Sequence, residues 1–107
     1  MHCLALYVAV RYSRLMIRNF KCAETQKIFE GVRSKKLPSN IQHIVRRKLR
    51  MLNNAFILND LLIPPTNMLE KLGGNRKGQH SIRITKQWHI CFIWTEGVIQ
   101  VEIVDYH

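Results

Sequence analysis

Acidic residues are scarce in this 107-residue chain, where seven Asp and Glu stand against seventeen Lys and Arg. The formal net charge of +10 and pI near 10.1 mildly oppose compaction and ordinarily go with a polyanionic partner. Cysteine is scarce as well. Cys3, Cys22 and Cys91 are odd in number and form no Cys-x-x-Cys pair. That excludes a disulfide framework and fits a reducing cytoplasm. The histidines His2, His43, His80, His89 and His107 have no zinc-ligand spacing with any cysteine, so neither a metal nor another cofactor is expected. No apolar run approaches the ~20 residues of a membrane helix, and no membrane partner is expected. Repeats and low-complexity stretches are missing too.

What remains is an ordinary globular composition, 47% apolar and 22% charged, in a chain long enough for one domain. A chain of this size buries roughly 65% of its unfolded surface, enough for a core without covalent staples. The opening MHCLALYVAVRYSRL places an apolar run, Leu4 to Val10, before Arg11 and Arg14. A secretory signal has the reverse order, with charge first and a small-residue cleavage site last. Met16-Ile17-Arg18-Asn19-Phe20 then reads as a natural start. The expectation is an extension over residues 1–15, non-native or poorly ordered, from a misplaced start codon or a real extra segment. A single domain over residues 16–107 follows it.

Within that domain, Met16 to Lys21 reads as a short strand. Residues 23–32 read as a short helix that Gly31 stops. Pro38 opens the clearest helix, PSNIQHIVRRKLRMLNNAF. There Ile41, Ile44, Val45, Leu49, Leu52 and Phe56 share one face, while Gln42, His43, Arg46, Arg47, Arg50 and Asn53 share the other. Lys48 falls nearer the apolar face. Asn59 to Pro65 is expected to be extended or turn, since Pro64-Pro65 removes two donors. QHSIRIT, WHICFIW and VIQVEIV each alternate, and Thr95-Glu96-Gly97 joins the last two as a hairpin. In the middle run Trp88, Ile90, Phe92 and Trp94 take one side, expected to be core, and His89, Cys91 and Ile93 the other. The order predicts an α+β fold, a small antiparallel sheet with two N-terminal helices packed on one face.

The motif L-x-x-L-x-G-N-R-x-G-x-x-S-I-R-I-x-x-x-W-x-I-x-F-x-W, with Asp105-Tyr106-His107 at the end, resembles HigB toxins of the RelE-like superfamily. The resemblance runs from Met16 to His107. It implies the toxin of a type II toxin–antitoxin pair, a metal-independent endoribonuclease that cuts messenger RNA on the translating ribosome. It also implies a neutralising antitoxin of the HigA type, carrying a helix-turn-helix through which the pair reaches operator DNA. Toxins of this type often carry Lys at the position of Gly73, Asp at Asn75, an aromatic residue at His80, Asn at Thr85 and Arg at His89.

The residues suit that chemistry. An RNA 2′-hydroxyl attacks its own phosphate when it is aligned, deprotonated and electrostatically supported. Arg76 and Lys71 flank the Gly73-Gly74 turn and are candidates for gripping phosphate, with Lys77 beside them. Arg83 and His89 come from successive strands, and whether they share a face depends on the turn at residues 85–87. Arg83 has Glu102 as an alternative, structural partner. His107 is the leading acid–base candidate. A terminal carboxylate on the same residue favours its protonated form, which suits an acid or phosphate binder. Tyr106 is a base-stacking or phosphate-donor candidate. Arg46, Arg47 and Arg50 form the expected ribosome-docking surface, whose RNA phosphates make affinity salt-dependent.

Three readings follow: an active ribosome-dependent nuclease, a weakened or inactive toxin homologue that keeps the antitoxin interface, and a basic nucleic-acid-binding module. Gly73 and His89 support the second. Net charge suits the third, but the register of the motifs does not.

Overall fold

The spacing of Ile41, Val45, Leu49 and Leu52 becomes a buried stripe in the computed structural model, which describes residues 16–106. These side chains lie on helix α2 (Ser39–Asn54), preceded by helix α1 (Ala23–Phe29). Pro38, with φ −55°, starts α2, where its missing N–H costs nothing. Helix α1 ends on Gly31 at φ +86°. There the Gly31 and Val32 amides donate to the Ile28 and Lys27 carbonyls at 3.0 and 2.8 Å, closing the turn.

After α2 come two 3-10 turns, Leu58–Leu62 and Pro65–Asn67, and then the sheet. Its strands are β1 (Glu70–Lys71), β2 (His80–Arg83), β3 (Trp88–Thr95) and β4 (Gly97–Asp105), ordered β1-β2-β3-β4 and antiparallel throughout. A further 3-10 turn, Gly74–Arg76, sits between β1 and β2. This is the α+β architecture the pattern predicts. Residues 1–15 lie outside the described residues, as does His107.

One face of the sheet carries Ile82, Ile90 and Phe92 into the stripe of α2, and each is fully buried. Burying such a side chain stabilises the fold by about 1.5–3 kcal/mol. Trp88 and Trp94 pack against the same core. Thr25 on α1 is also buried, and its hydroxyl accepts the Ile103 amide at 3.0 Å, pinning α1 to β4.

Two local expectations are corrected. Residues 16–21 form no strand but two parallel bridges to β4, Ile17 to Val98 and Phe20 to Val101. Beside them β4 bulges: the register shifts between Cys91 and Ile93, and Gln100 takes φ +53°. The Asn19 carboxamide oxygen accepts the Gln100 amide at 2.7 Å in place of a ladder bond. Phe56 does not extend the helical stripe; it is 48% exposed. The chain leaves the helix at Ala55 because the Asp60 carboxylate takes the Phe56 and Ile57 amides at 2.8 and 3.2 Å. That capping also winds residues 58–62 into a 3-10 turn, one of the two forms expected for this stretch.

Candidate active site

The face of the sheet away from the helices is set by register. Arg83 lies directly opposite His89, and Ser81 opposite Cys91, which in turn lies opposite Glu102. The turn between β2 and β3 fixes this. The Ile84 and Thr85 amides both donate to the Trp88 carbonyl, at 2.9 and 3.0 Å. The Thr85 hydroxyl accepts the Gln87 and Trp88 amides at 3.3 and 3.1 Å. Thr85 therefore holds the turn that puts Arg83 and His89 on one side.

Tyr106 follows β4 and folds over the same face. Its amide donates to the Gln87 carbonyl at 2.7 Å. Its ring stacks on His89 with centroids 4.3 Å apart and planes 24° from parallel, and its hydroxyl lies 3.4 Å from the Cys91 Sγ. Arg76 arrives from the loop between β1 and β2. That loop is closed by the Leu72 amide donating to Gln79 and the Gln79 amide donating to Arg76, both at 2.9 Å. The Arg76 guanidinium donates to the Gln79 side chain at 3.0 Å and pairs with Glu102 at 3.3 Å. Lys21, from the N-terminal segment, pairs with the same Glu102 oxygen at 3.4 Å.

The environment sorts these groups by charge state. Burial holds the His89 imidazole below its ordinary value, and Arg83 pushes the same way. The Gln87 carbonyl and Glu70 oppose them. His89 is therefore mainly neutral at pH 7, as a proton acceptor must be. Burial, then the neighbouring Cys91, pushes the Tyr106 phenol up to about 12, so it remains a donor. Burial raises the Cys91 thiol against the nearby Tyr106 and Arg76, which keeps it protonated and a poor nucleophile.

The structure thus brings Arg76, Arg83, His89 and Tyr106 together on one face. Lys71 is elsewhere: it pairs with His80, which stacks on Phe92 at 6.1 Å on the helix side of the sheet. The two-residue strand puts Glu70, not Lys71, beside Ser81. Lys77 is exposed at the end of the Gly74–Arg76 turn. Arg46 and Arg50 line a groove of about 390 Å³ with Arg33 and His43, between the helices. Arg47 stands between that groove and a second one next to Arg83. Glu102 is not the partner of Arg83 that the strand pattern suggested, because Arg76 and Lys21 take its carboxylate. Lys21 was missed in the sequence, where nothing announces a parallel bridge to β4. Cys91 occupies an unspecified position of the motif and Ser81 a specified one with no role attached, although their alternation with Phe92 and Ile82 places them on this face.

Among the described residues, no three His, Cys, Asp or Glu side chains are grouped to hold a metal, and no helix is long and apolar enough to cross a membrane.

The same arrangement of layers occurs in a chain of the YoeB-YefM complex from Staphylococcus aureus. It superposes with a TM-score of 0.51 at 16% identity over 88% of this chain and 98% of that one, a likeness of fold. In sequence, Toxin HigB-1 of Vibrio cholerae serotype O1 (strain ATCC 39315 / El Tor Inaba N16961) is 39% identical over 93 residues, 86% of this chain and 98% of that protein. An uncharacterized protein of Haemophilus influenzae (strain ATCC 51907 / DSM 11121 / KW20 / Rd) is 35% identical over 72 residues, 67% of this chain and 71% of that protein. Fold and relatives together define a RelE-like toxin of a type II toxin–antitoxin system. A family model described as the RelE-like toxin of type II toxin-antitoxin system HigB matches residues 18–107, and the chain belongs to that HigB-like family.

Proposed function

We propose that the open face of the sheet cuts translated messenger RNA on the ribosome, in the cytoplasm, by acid–base and electrostatic catalysis that needs no metal. The observation that carries this reading is the meeting of Arg83, His89 and Tyr106: a cation, a neutral imidazole and a phenol donor on one half-buried floor. In the proposed step His89 takes the proton of a 2′-hydroxyl, whose oxygen attacks the neighbouring phosphorus. The bond from phosphorus to the 5′-oxygen breaks, and His107, next in the chain after Tyr106, returns a proton to that oxygen. The product is a 2′,3′-cyclic phosphate and a free 5′-hydroxyl. Arg83 and Arg76 stabilise the charge that grows on the phosphate, and the Tyr106 hydroxyl donates to it. Arg46, Arg47, Arg50, Lys71 and Lys77 are assigned to ribosomal and messenger RNA outside the reacting centre. A helix-turn-helix antitoxin of the HigA type is the proposed neutralising partner, and operator DNA is reached only through it.

One observation favours a second reading, a weakened toxin that chiefly binds its antitoxin. Glu102 already pairs with both Arg76 and Lys21 and offsets one of their two charges, so phosphate must compete with a carboxylate at each. Mapping messenger RNA 5′ ends after a brief pulse of the chain starting at Met16 separates the two. New ends inside translated codons that vanish with Arg83→Ala, His89→Ala and His107→Ala support the nuclease. No new ends and unimpaired growth leave the antitoxin-binding reading.

A further inference from the structure

Strand β1 covers only Ser81 and His80 of β2, so the later part of β2 faces outward. Against that uncovered edge and α2 lies a groove of about 500 Å³, whose walls include Arg47, Lys48, Thr66, Arg83 and Ile44. Among the described residues, no carboxylate lines it. Three cations from two elements therefore converge on a space without a counter-charge on its walls.

Lys48 is the unusual member. It is 5% exposed, and its ammonium donates to the carboxamide oxygen of Asn67, itself fully buried. Asn67 is held in turn by the Leu61 carbonyl, to which its amide donates at 3.0 Å. Burial, then the charge of Arg47, depresses the Lys48 pKa, so the bare groove disfavours the cation it contains. An anion between Lys48 and Arg47 offsets the repulsion between the two cations and favours the charged form of the lysine. Arg83 connects this groove to the sheet face, since its strand partner is His89. A strand of RNA with one phosphate at His89 and Arg83 has its next phosphates leading around the edge of β2.

We propose that the groove between α2 and the free edge of β2 is a second phosphate subsite, which binds a flanking phosphodiester of the RNA through Arg47, Lys48 and Arg83. Its ligand rests on the RNA-cutting reading of the sheet face; its location does not. Binding here fixes the strand's direction across the site and converts a general basic surface into a defined path. It also divides the helical basic cluster: Arg47 serves the substrate strand, while Arg46 and Arg50 face the separate groove with Arg33.

The test compares Arg47→Gln with Arg33→Gln, two exposed positions that lose the same charge. Binding of fluorescein-labelled 2′-O-methyl oligonucleotides of two and six nucleotides is measured over a range of KCl. For the hexamer, Arg47→Gln is expected to weaken binding about ten-fold and to reduce the log–log salt slope by roughly 0.7, one single-strand phosphate contact. The dimer is expected to be unaffected by Arg47→Gln, and Arg33→Gln to leave both unchanged. Equal losses from the two variants overturn the subsite and leave only net charge. Tighter binding of hexaglutamate than of the hexamer also overturns it, since the groove is then a protein contact. Inorganic phosphate is titrated in parallel, with the Lys48 and Arg83 amides followed by NMR. If the parent protein binds neither oligonucleotide but phosphate still moves those amides, the groove is an anion site and its assignment to RNA falls, while the cutting reading is decided separately by the 5′-end mapping. If phosphate leaves them unmoved as well, the subsite falls too.

Discussion

Gly73 and Gly74 are neighbours with opposite tolerances, and the contrast tests both the loop geometry and its role. Gly73 sits at φ −121°, ψ −165°, extended backbone open to any residue, and a Cβ there meets nothing within 4 Å. Gly74 sits at φ +58°, where an L side chain strains the backbone by about 1–2 kcal/mol. Gly73→Lys reduces the freedom of the unfolded chain, a gain of about 0.4–1 kcal/mol by analogy with Gly→Ala. One more charge on a chain already at +10 offsets part of that. The unfolded-state gain and the added charge are common to Gly73→Lys and Gly74→Lys, which are therefore expected to differ by the strain alone, about 1–2 kcal/mol in urea unfolding, or roughly 4–16 °C in melting temperature. The Gly73→Lys variant also gains an ammonium three residues before Arg76, at the position where toxins of this type often carry lysine. Messenger RNA cleavage is expected to quicken, and the salt dependence of RNA binding to steepen by roughly 0.7 in log–log slope. Equal stability losses for the two variants would refute the backbone argument. An unchanged salt slope would show that this loop does not face RNA.

Other outcomes follow from the same structure. His80 and His89 are both held below the ordinary histidine value of about 6.5, chiefly by burial. As pH falls the unfolded chain takes up protons first. The stability these residues contribute is therefore complete above about pH 6.5 and is lost as pH falls from there through their folded values. Urea midpoints at pH 7.5 and 5 should show the drop, and His89→Gln should reduce it. Asn67→Ala leaves the Lys48 ammonium buried without its acceptor and is expected to cost about 1.5–3 kcal/mol in thermal melts. Lys48→Met removes the buried charge, and an Asn67→Ala loss just as large in that background would show that the contact carries no weight. Tyr106→Phe keeps the stack on His89 and removes the hydroxyl. Cleavage is expected to fall at least about ten-fold with little change in melting temperature. Unchanged activity would remove the phenol from the proposed step.

The layers were legible because alternation and helical spacing respond to one strong force, burial of apolar surface. Ile41 to Leu52 and Trp88 to Trp94 landed where those periods put them. Phe56 did not, because a local competitor, the Asp60 carboxylate, captured the backbone amides just past the helix. The meeting of Arg83 and His89 hung on one residue of register, settled by the Thr85 hydroxyl in a turn with no distinctive signature. Lys71 shows the other side of that sensitivity: a two-residue strand one step out of phase sends it to the far face. Lys21 and Glu102 are far apart in sequence, and their pairing depends on a parallel bridge that short-range patterns do not encode.

The bridge of residues 17–20 to β4 also sets a direction. Because the pairing is parallel, Met16 lies beside Val98, whose amide donates to the Met16 carbonyl at 3.2 Å. Tyr106 lies beyond the opposite end of β4, which runs from Gly97 to Asp105. At roughly 3.3 Å per residue, the two ends stand about 25 Å apart. For anyone building reporters, a fluorophore or affinity handle joined at Met16 leaves the molecule beside the hairpin tip, well clear of His89. One joined after Tyr106 starts on the floor where RNA is proposed to react.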